Sequence, residues 1–234
     1  MMGGKSDVDA AEAAAALADP LRFHILSRLL DGPLTVAEIV ADSGASQPNV
    51  SNHLAVLRRR RLVSRERRGR RVLYRLAGPP VGQLVEALAV LAAPTSRPSV
   101  PAPVAAARTC YDHLAGRLGV AVLKGLRRTD AVRRPGRDGA IDIGTQGERI
   151  FARLGVDLSE AAAARRRFAY ACVDWTEKEA HLGGALGAAV CAASLRREWV
   201  RRRRGTRAVV LTERGLRGFE RVLGVSLRAS GQQG

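Results

Sequence analysis

Residues 46–76 read SQPNVSNHLAVLRRRRLVSRERRGRRVLYRL. Two periodicities follow one another in this stretch. From Ser46 to Arg58 the apolar residues Val50, Leu54 and Leu57 recur at helical spacing and predict an inward face. Ser46, Gln47, Asn49, Ser51, Asn52 and Arg58 remain on the outward face, with Ser46 at the capping position. After Arg61 the period changes to two. Leu62–Glu66 and Arg71–Leu76 read as strands around the turn Arg67-Arg68-Gly69-Arg70, with Val72, Tyr74 and Leu76 on one face. The residue types suit DNA. Gln and Asn can bond adenine through two hydrogen bonds, and Ser can bond bases or phosphates. Arg65, Arg67, Arg68, Arg70 and Arg71 on the hairpin suit phosphates or a minor groove. A recognition helix followed by a basic wing is therefore predicted.

The upstream residues supply the rest of such a unit. Residues 1–10 are expected to be disordered, and Glu12–Leu17 to be an Ala-rich helix. Asp19-Pro20 reads as a cap followed by a first-turn proline, and Leu21, Ile25, Leu26, Leu29 and Leu30 predict an amphipathic helix over 20–31. Asp31-Gly32-Pro33 stops it. Thr35 and Glu38 have capping-box spacing, and Val36, Ile39 and Val40 give the next short helix its core face. Ser43-Gly44-Ala45 is the tight turn of a helix-turn-helix.

On LADPLRFHILSRLLDGPLTVAEI, SQPNVSNHLAVLRRRRLV and RRGRRVLYRL, residues 12–92 resemble the ArsR/SmtB family of winged helix-turn-helix regulators. The resemblance implies a homodimer held by the first helix and by Val81–Ala92, whose stripe would be Leu84, Val85, Leu88 and Leu91. Two recognition helices would then read a palindromic operator on double-stranded DNA. His53, in the family's Ser-x-His-Leu stretch, would lie near the DNA. The family usually has Gly where Arg61 stands, a position that often needs positive φ, so Arg61 implies a different turn there or a strained one. The cysteines by which many relatives bind metals are absent here from TVAEIVADSG, and VGQLVEALAVLA, where others use His and acids, has no His and one acid, Glu86. Control must come from elsewhere in the chain.

Composition agrees with a polyanionic partner. Against 22 acidic residues stand 39 Lys and Arg, a net charge of +17. There is no apolar run of about 18 residues and no signal-peptide core in MMGGKSDVDA, so a cytoplasmic protein without a membrane partner is expected. Three cysteines do not make a secreted disulfide framework.

The Pro-rich stretch 94–104 reads as a linker between a DNA-binding and dimerisation domain at 11–93 and a second domain at 105–228, before a disordered tail at 229–234. The second domain contains an imperfect duplication. CYDHLAGRLGVAVLKGLRRTDAVRR then AIDIGTQGERIFARLGV are answered by CVDWTEKEAHLGGALGAAVCAASLRREWVRRR then RAVVLTERGLRGFERVLGV. Both copies hold Cys-x-Asp and His-Leu-x-Gly-x-Leu-Gly. Two helix–hairpin–helix units related by a pseudo-two-fold axis are expected, with Cys110 and His113 three apart on one helix. The repeated residues admit several readings. They can be packing, with small Cys and close-approach Gly. Cys110, His113, Cys172 and His181 can converge on a tetrahedral metal such as zinc. Cys110 and Cys172 can be a redox pair. Tyr111, Phe168, Tyr170, Trp175 and Trp199 can line a pocket for a small-molecule effector.

The expected fold class is mainly α with small β (α+β): a winged helix-turn-helix plus a duplicated sensor domain. The expected function is a sequence-specific DNA-binding regulator, a repressor, controlled through the second domain. The alternative is a non-specific architectural nucleic-acid binder. No phosphate loop, nucleophile elbow or credible carboxylate pair argues for an enzyme.

Overall fold

The computed structural model describes residues 4–92, 102–203 and 206–226. It divides into two compact units, residues 1–86 and 87–234. The first opens with α1 (Gly4–Leu17), α2 (Pro20–Leu29), α3 (Val36–Ser43) and α4 (Gln47–Arg59). The wing follows as β1 (Val63–Arg68) and β2 (Arg71–Leu76), and α5 (Pro79–Ala92) runs on into the second unit. Ile25, Leu26, Leu29, Ile39, Val50, Leu54 and Leu57 are buried, each on the face its spacing predicts. Asp19 caps α2 by accepting from the Arg22 amide at 2.9 Å. Thr35 and Glu38 complete a capping box on α3 in both directions. Ser46 stands at the cap of α4 without making a side-chain cap bond. The expected disorder of residues 1–10 is not found from Gly4 onward. The helix reaches back from Ala10, Ala11 and Ala13–Ala16, whose side chains cost nothing to order.

Arg61 has φ 56°, so of the two outcomes open at this point, a different turn or a strained one, the left-handed, strained turn is found. Its amide bonds the Arg58 carbonyl and that of Leu62 bonds Leu57, which closes α4 in a Schellman motif. Glycine normally holds this position, so an Arg here is strained.

The first element wholly within the second unit is α6 (Ala102–Ala106), so residues 102–104 are helical and not linker, while 93–101 and the 229–234 tail lie outside the described residues. Then come β3 (Arg108–Cys110), β4 (His113–Ala115), α7 (Gly116–Arg128), α8 (Gly147–Leu154) and α9 (Leu158–Ala162). The second copy is β5 (Tyr170–Val173), β6 (Ala180–Gly183), α10 (Gly184–Arg196), β7 (Val200–Arg202), β8 (Val209–Leu211) and α11 (Glu213–Leu223). Each copy is thus hairpin first, then helix, a second extended segment and a helix. The expected helix–hairpin–helix order is corrected, because the Cys-x-Asp-His stretch is a β-hairpin that ends where Gly116 and Gly184 start the helices. The helices α7 and α10 are each 13 residues long and superpose in sequence at an offset of 68. Asp130 and Glu198, both at positive φ, mark the same offset, so Arg128 corresponds to Arg196 and the Leu-Arg-Arg match in the sequence is one residue out of register. In copy one the second hairpin is reduced to a single Val132–Ile143 bridge.

The copies interlock. The Ile141 amide bonds Ala169 and the Ala171 amide bonds Gly139; in the mirror arrangement Thr109 bonds Arg207 and Val209 bonds Ala107. Each hairpin is therefore extended by a segment of the other copy. A single apolar cluster joins both, from Leu118, Leu123 and Phe151 to Leu186, Trp199 and Phe219. No helix among the described residues is long and apolar enough to cross a membrane.

Candidate functional site

Two surfaces carry the candidate residues. On the first unit, Ser46, Gln47, Asn49, Ser51, Asn52 and Arg58 are all exposed along α4, as are Arg65, Arg67, Arg68, Arg70 and Arg71 on the wing. The wing is a six-pair antiparallel ladder with a two-residue turn at Gly69-Arg70, and Tyr74 ties it to Leu34 ahead of α3. Some of its charge is already engaged. Arg68 donates to Glu66 at 2.7 Å and Arg71 to Glu38 at 2.8 Å. His53 departs from expectation. Its ring is half-buried and turns toward Asp19 at 3.5 Å, on the core side of α4 and away from the exposed face. His53 shares this side of the helix with Val50, three residues before it, and Leu57, four after it.

In the second unit Cys110, His113, Cys172 and His181 come together. One donor atom from each lies within 4.8 Å of all the others. The hairpins produce this. Cys110 faces His113 across β3–β4, and Cys172 faces His181 across β5–β6. The expected helical i, i+3 relation of Cys110 and His113 is replaced by a cross-strand pair. The longer turn of the second copy leaves its pair in the same relation, so the nine-residue spacing of Cys172 and His181 is no obstacle. Cys110, His113 and His181 are buried, and Cys172 is partly so.

Close approach requires glycine at two helix positions. A Cβ on Gly119 would sit 2.4 Å from the Leu114 carbonyl oxygen and 3.3 Å from His181 Cβ. One on Gly187 would sit 2.2 Å from the Leu182 carbonyl oxygen and 3.1 Å from His113 Cβ. Each helix thus packs on the histidine of the other copy, and the imidazole centroids stand 5.1 Å apart.

Each histidine is backed by the repeated aspartate. His113 Nδ1 is hydrogen-bonded to Asp112 at 3.2 Å, whereas His181 Nδ1 stands 3.3 Å from Asp174 without hydrogen-bond geometry. The Nε2 atoms of both rings are buried with no hydrogen-bond partner. A carboxylate on one ring nitrogen and an open second nitrogen is the arrangement of a metal-binding histidine. Around zinc, with bonds of about 2.0–2.3 Å, tetrahedral donors stand about 3.3–3.8 Å apart, so the cluster needs to close by roughly 1–1.5 Å at its widest. The donors fit a soft-to-borderline ion. Burial opposes charge on His181, yet Asp174 and Cys110 outweigh it and raise its pKa to about 9. The same opposition of burial by Asp112 and Cys110 raises His113.

The second tier is unequal. Asp174 is completely buried and accepts from Arg108 at 2.8 Å, from the Gly116 amide at 2.7 Å and from the Thr176 hydroxyl at 2.7 Å. Burial would raise its pKa, but His181, Arg108 and Thr176 hold it far below the usual carboxylate range. Asp112 is half-exposed and pairs with Arg166 at 2.6 Å. Arg108, itself fully buried, lies 5.2 Å from the Trp175 ring. Sequence reasoning found the Cys-x-Asp repeat without giving the aspartates a role, and Arg108 was hidden among many arginines. Cys191 is not part of the cluster; burial within α10 pushes its thiol up to about 11. Trp199 packs edge-on against Phe219 at 4.9 Å, and Trp175 lies beside Arg108 and Arg207.

Comparisons agree with the first unit and extend to the whole chain. A family model described as bacterial regulatory protein, arsR family, matches residues 19–65. The uncharacterized HTH-type transcriptional regulator YdfF of Bacillus subtilis (strain 168) is 33% identical over 223 residues, covering 93% of this chain and 98% of its own. A probable mercury resistance operon repressor of Streptomyces lividans is 44% identical over 78 residues, 33% of this chain and 62% of its own. Among solved structures, reduced HlyU from Vibrio cholerae N16961 is 34% identical and covers 38% of this chain and 95% of that one, with a TM-score of 0.36.

Proposed function

The chain belongs to the arsR family of bacterial regulatory proteins and is a DNA-binding transcriptional regulator, and from that premise we propose a homodimeric repressor of a palindromic operator, controlled by a metal ion held in its duplicated domain. One observation carries the control: four donors of metal-binding type, two from each copy, lie within 4.8 Å of one another. The ion would be held by Cys110, His113, Cys172 and His181, with Asp112 and Asp174 orienting the imidazoles. All four positions of a tetrahedral ion are then taken by protein, the closed set of a binding site and not of a catalytic one. Zinc is the first ion to test. In the cell the protein is expected in the cytoplasm, with its DNA.

The reader is α4, with Gln47, Asn49, Ser51 and Asn52 toward bases and Arg65, Arg67 and Arg70 toward phosphates. The homodimer is supported by exposed leucines on α5, Leu84 at 39% and Leu91 at 82%. An isologous pairing would remove them from water.

Selection of binding sites from random DNA, with and without added zinc, tests the whole reading. The expected result is a palindrome whose affinity changes with zinc, and a purified protein carrying about one metal per chain that Cys110→Ser or Cys172→Ser removes. Asn49→Ala with Asn52→Ala should lose discrimination more than non-specific affinity. Absence of any sequence preference would favour the architectural reading instead. A metal-free protein whose DNA affinity ignores zinc, copper, nickel and cadmium would return the four residues to packing. A response to peroxide alone would make Cys110 and Cys172 a redox pair.

A further inference from the structure

The net charge is not where a DNA reader would put it. Residues 1–86 hold 13 Lys and Arg against 9 acids, whereas residues 87–234 hold 26 against 13. Part of that excess is gathered at one place. A cleft of about 820 Å³ at the C-terminal end of α7 is lined by Lys124, Arg127, Arg128, Asp130, Val132, Arg133, Arg134 and Pro135. Two of its cations are occupied. Lys124 pairs with Glu179 at 2.6 Å, and Arg128 donates to the carbonyls of Leu223 and Gly224. Arg127, Arg133 and Arg134 make no ion pair among the described residues, and Arg127 Nε is buried without a hydrogen-bond partner. Burial first, then the neighbouring Arg134, pulls the Arg127 guanidinium below its usual value. Like charges held together in a concavity repel until an anion joins them.

Comparison of the copies isolates the feature. At the offset of 68, Lys124 and Arg127 correspond to Ala192 and Leu195. Beyond α10 the second copy closes its equivalent region with β7–β8 and with Trp199 packed on Phe219. The first copy has no such hairpin, only the Val132–Ile143 bridge, and places Arg133 and Arg134 in the open. No aromatic side chain lines the cleft, so it offers no stacking surface for a nucleobase. Guanidinium groups without a stacking platform match a phosphate backbone.

We infer that this cleft is a second, sequence-independent contact for the phosphate backbone of duplex DNA, made by the regulatory unit itself through Arg127, Arg133 and Arg134. The inference rests on the reading of the chain as a DNA-binding regulator. Backbone contacts of this kind add affinity on any sequence and leave discrimination to α4.

The test uses the full chain and two duplexes, one limited to the operator and one extended on both sides. Arg127→Gln with Arg133→Gln and Arg134→Gln should flatten the log affinity against log salt slope on the extended duplex. The expected change is about 0.9 for each phosphate no longer neutralised, so about 1 to 3 in all. The ratio of operator to random affinity should stay unchanged. A second variant, Arg133→Gln with Arg134→Gln, spares the half-buried Arg127 and guards against a folding defect. A charge-matched control, Arg214→Gln with Arg217→Gln and Arg221→Gln on α11, should leave the slope closer to wild type. Equal flattening by the control would reduce the effect to net charge and overturn the site. An unchanged slope in the cleft variants would overturn it too. So would an unchanged slope combined with binding of inorganic pyrophosphate that the variants lose, which would make the cleft a small-phosphate site. Wild-type protein that prefers no operator would fail the regulator reading, and the slope of the cleft variants would still judge this one.

Discussion

The wing and the two Cys–His hairpins are the same local element under opposite conditions. β1–β2 carries five arginines at or near its tip, almost all in water, on a six-pair ladder. β3–β4 and β5–β6 are paired over three and four residues, and Cys110, His113 and His181 on them are buried, with Cys172 partly so. An antiparallel pair sets facing residues at a fixed separation in either case. In water that geometry is a movable array of charge, worth little to stability and sensitive to salt. Inside the protein it becomes a donor set whose every polar atom needs a partner.

The contrast breaks most visibly at Arg108. Arg108→Ala leaves the buried Asp174 without its guanidinium, and thermal or urea unfolding should show a loss of about 3–5 kcal/mol. A loss below about 1 kcal/mol would mean that the amide and hydroxyl donors to Asp174 suffice. The next effect is on metal. Asp174→Asn should lower zinc affinity by about 10–100-fold in a competition titration, as outer-shell partners of metal ligands do. Asp112→Asn should cost less, because Asp112 is half-exposed and backed only by Arg166 and His113. Equal losses would show the copies to be equivalent despite their different surroundings. Arg61→Gly comes third: relief of the left-handed Arg should raise stability by about 1 kcal/mol. An unchanged midpoint would show that this turn carries no strain. The smallest effect on stability belongs to the wing. Arg68→Ala with Arg70→Ala should move unfolding by under about 0.5 kcal/mol. The same variant should weaken binding to all DNA and flatten the salt slope by about 0.9 for each phosphate that the wing neutralises through these two side chains. A variant that weakened only operator binding would make the wing a base reader.

Much of the first unit was legible because its residues obey local rules. Val50, Leu54 and Leu57 carry a helical period, Thr35 and Glu38 a capping spacing, and Arg61 sits where a left-handed residue was needed. The inward turn of His53 was not legible, since it depends on Asp19, far back in the chain. In the second unit the duplication identified the four donors but not their secondary structure. A spacing of three between Cys110 and His113 suits a helix face as well as a two-residue hairpin turn, and only long-range packing against the other copy decides between them. Arg108 and the role of Asp174 were beyond reach for the same reason: their partners lie 66 and 58 residues away, at Asp174 and Gly116.

The interlocked strands have a consequence for how the domain comes into being. Arg108 and Thr109 are flanked by Arg207 to Val209, and Tyr170 by Gly139 to Ile141. Ordinary repeats stack on their neighbours and can fold from either end. Here the first hairpin lacks its edge partner until the last hairpin has left the ribosome. On the metal reading proposed above, capture of an ion would be a late event, because the first copy alone supplies only Cys110 and His113 of the four donors. A chain ending at Arg203 should accordingly retain no ordered zinc site, measurable as loss of tight, protective metal binding under limited proteolysis.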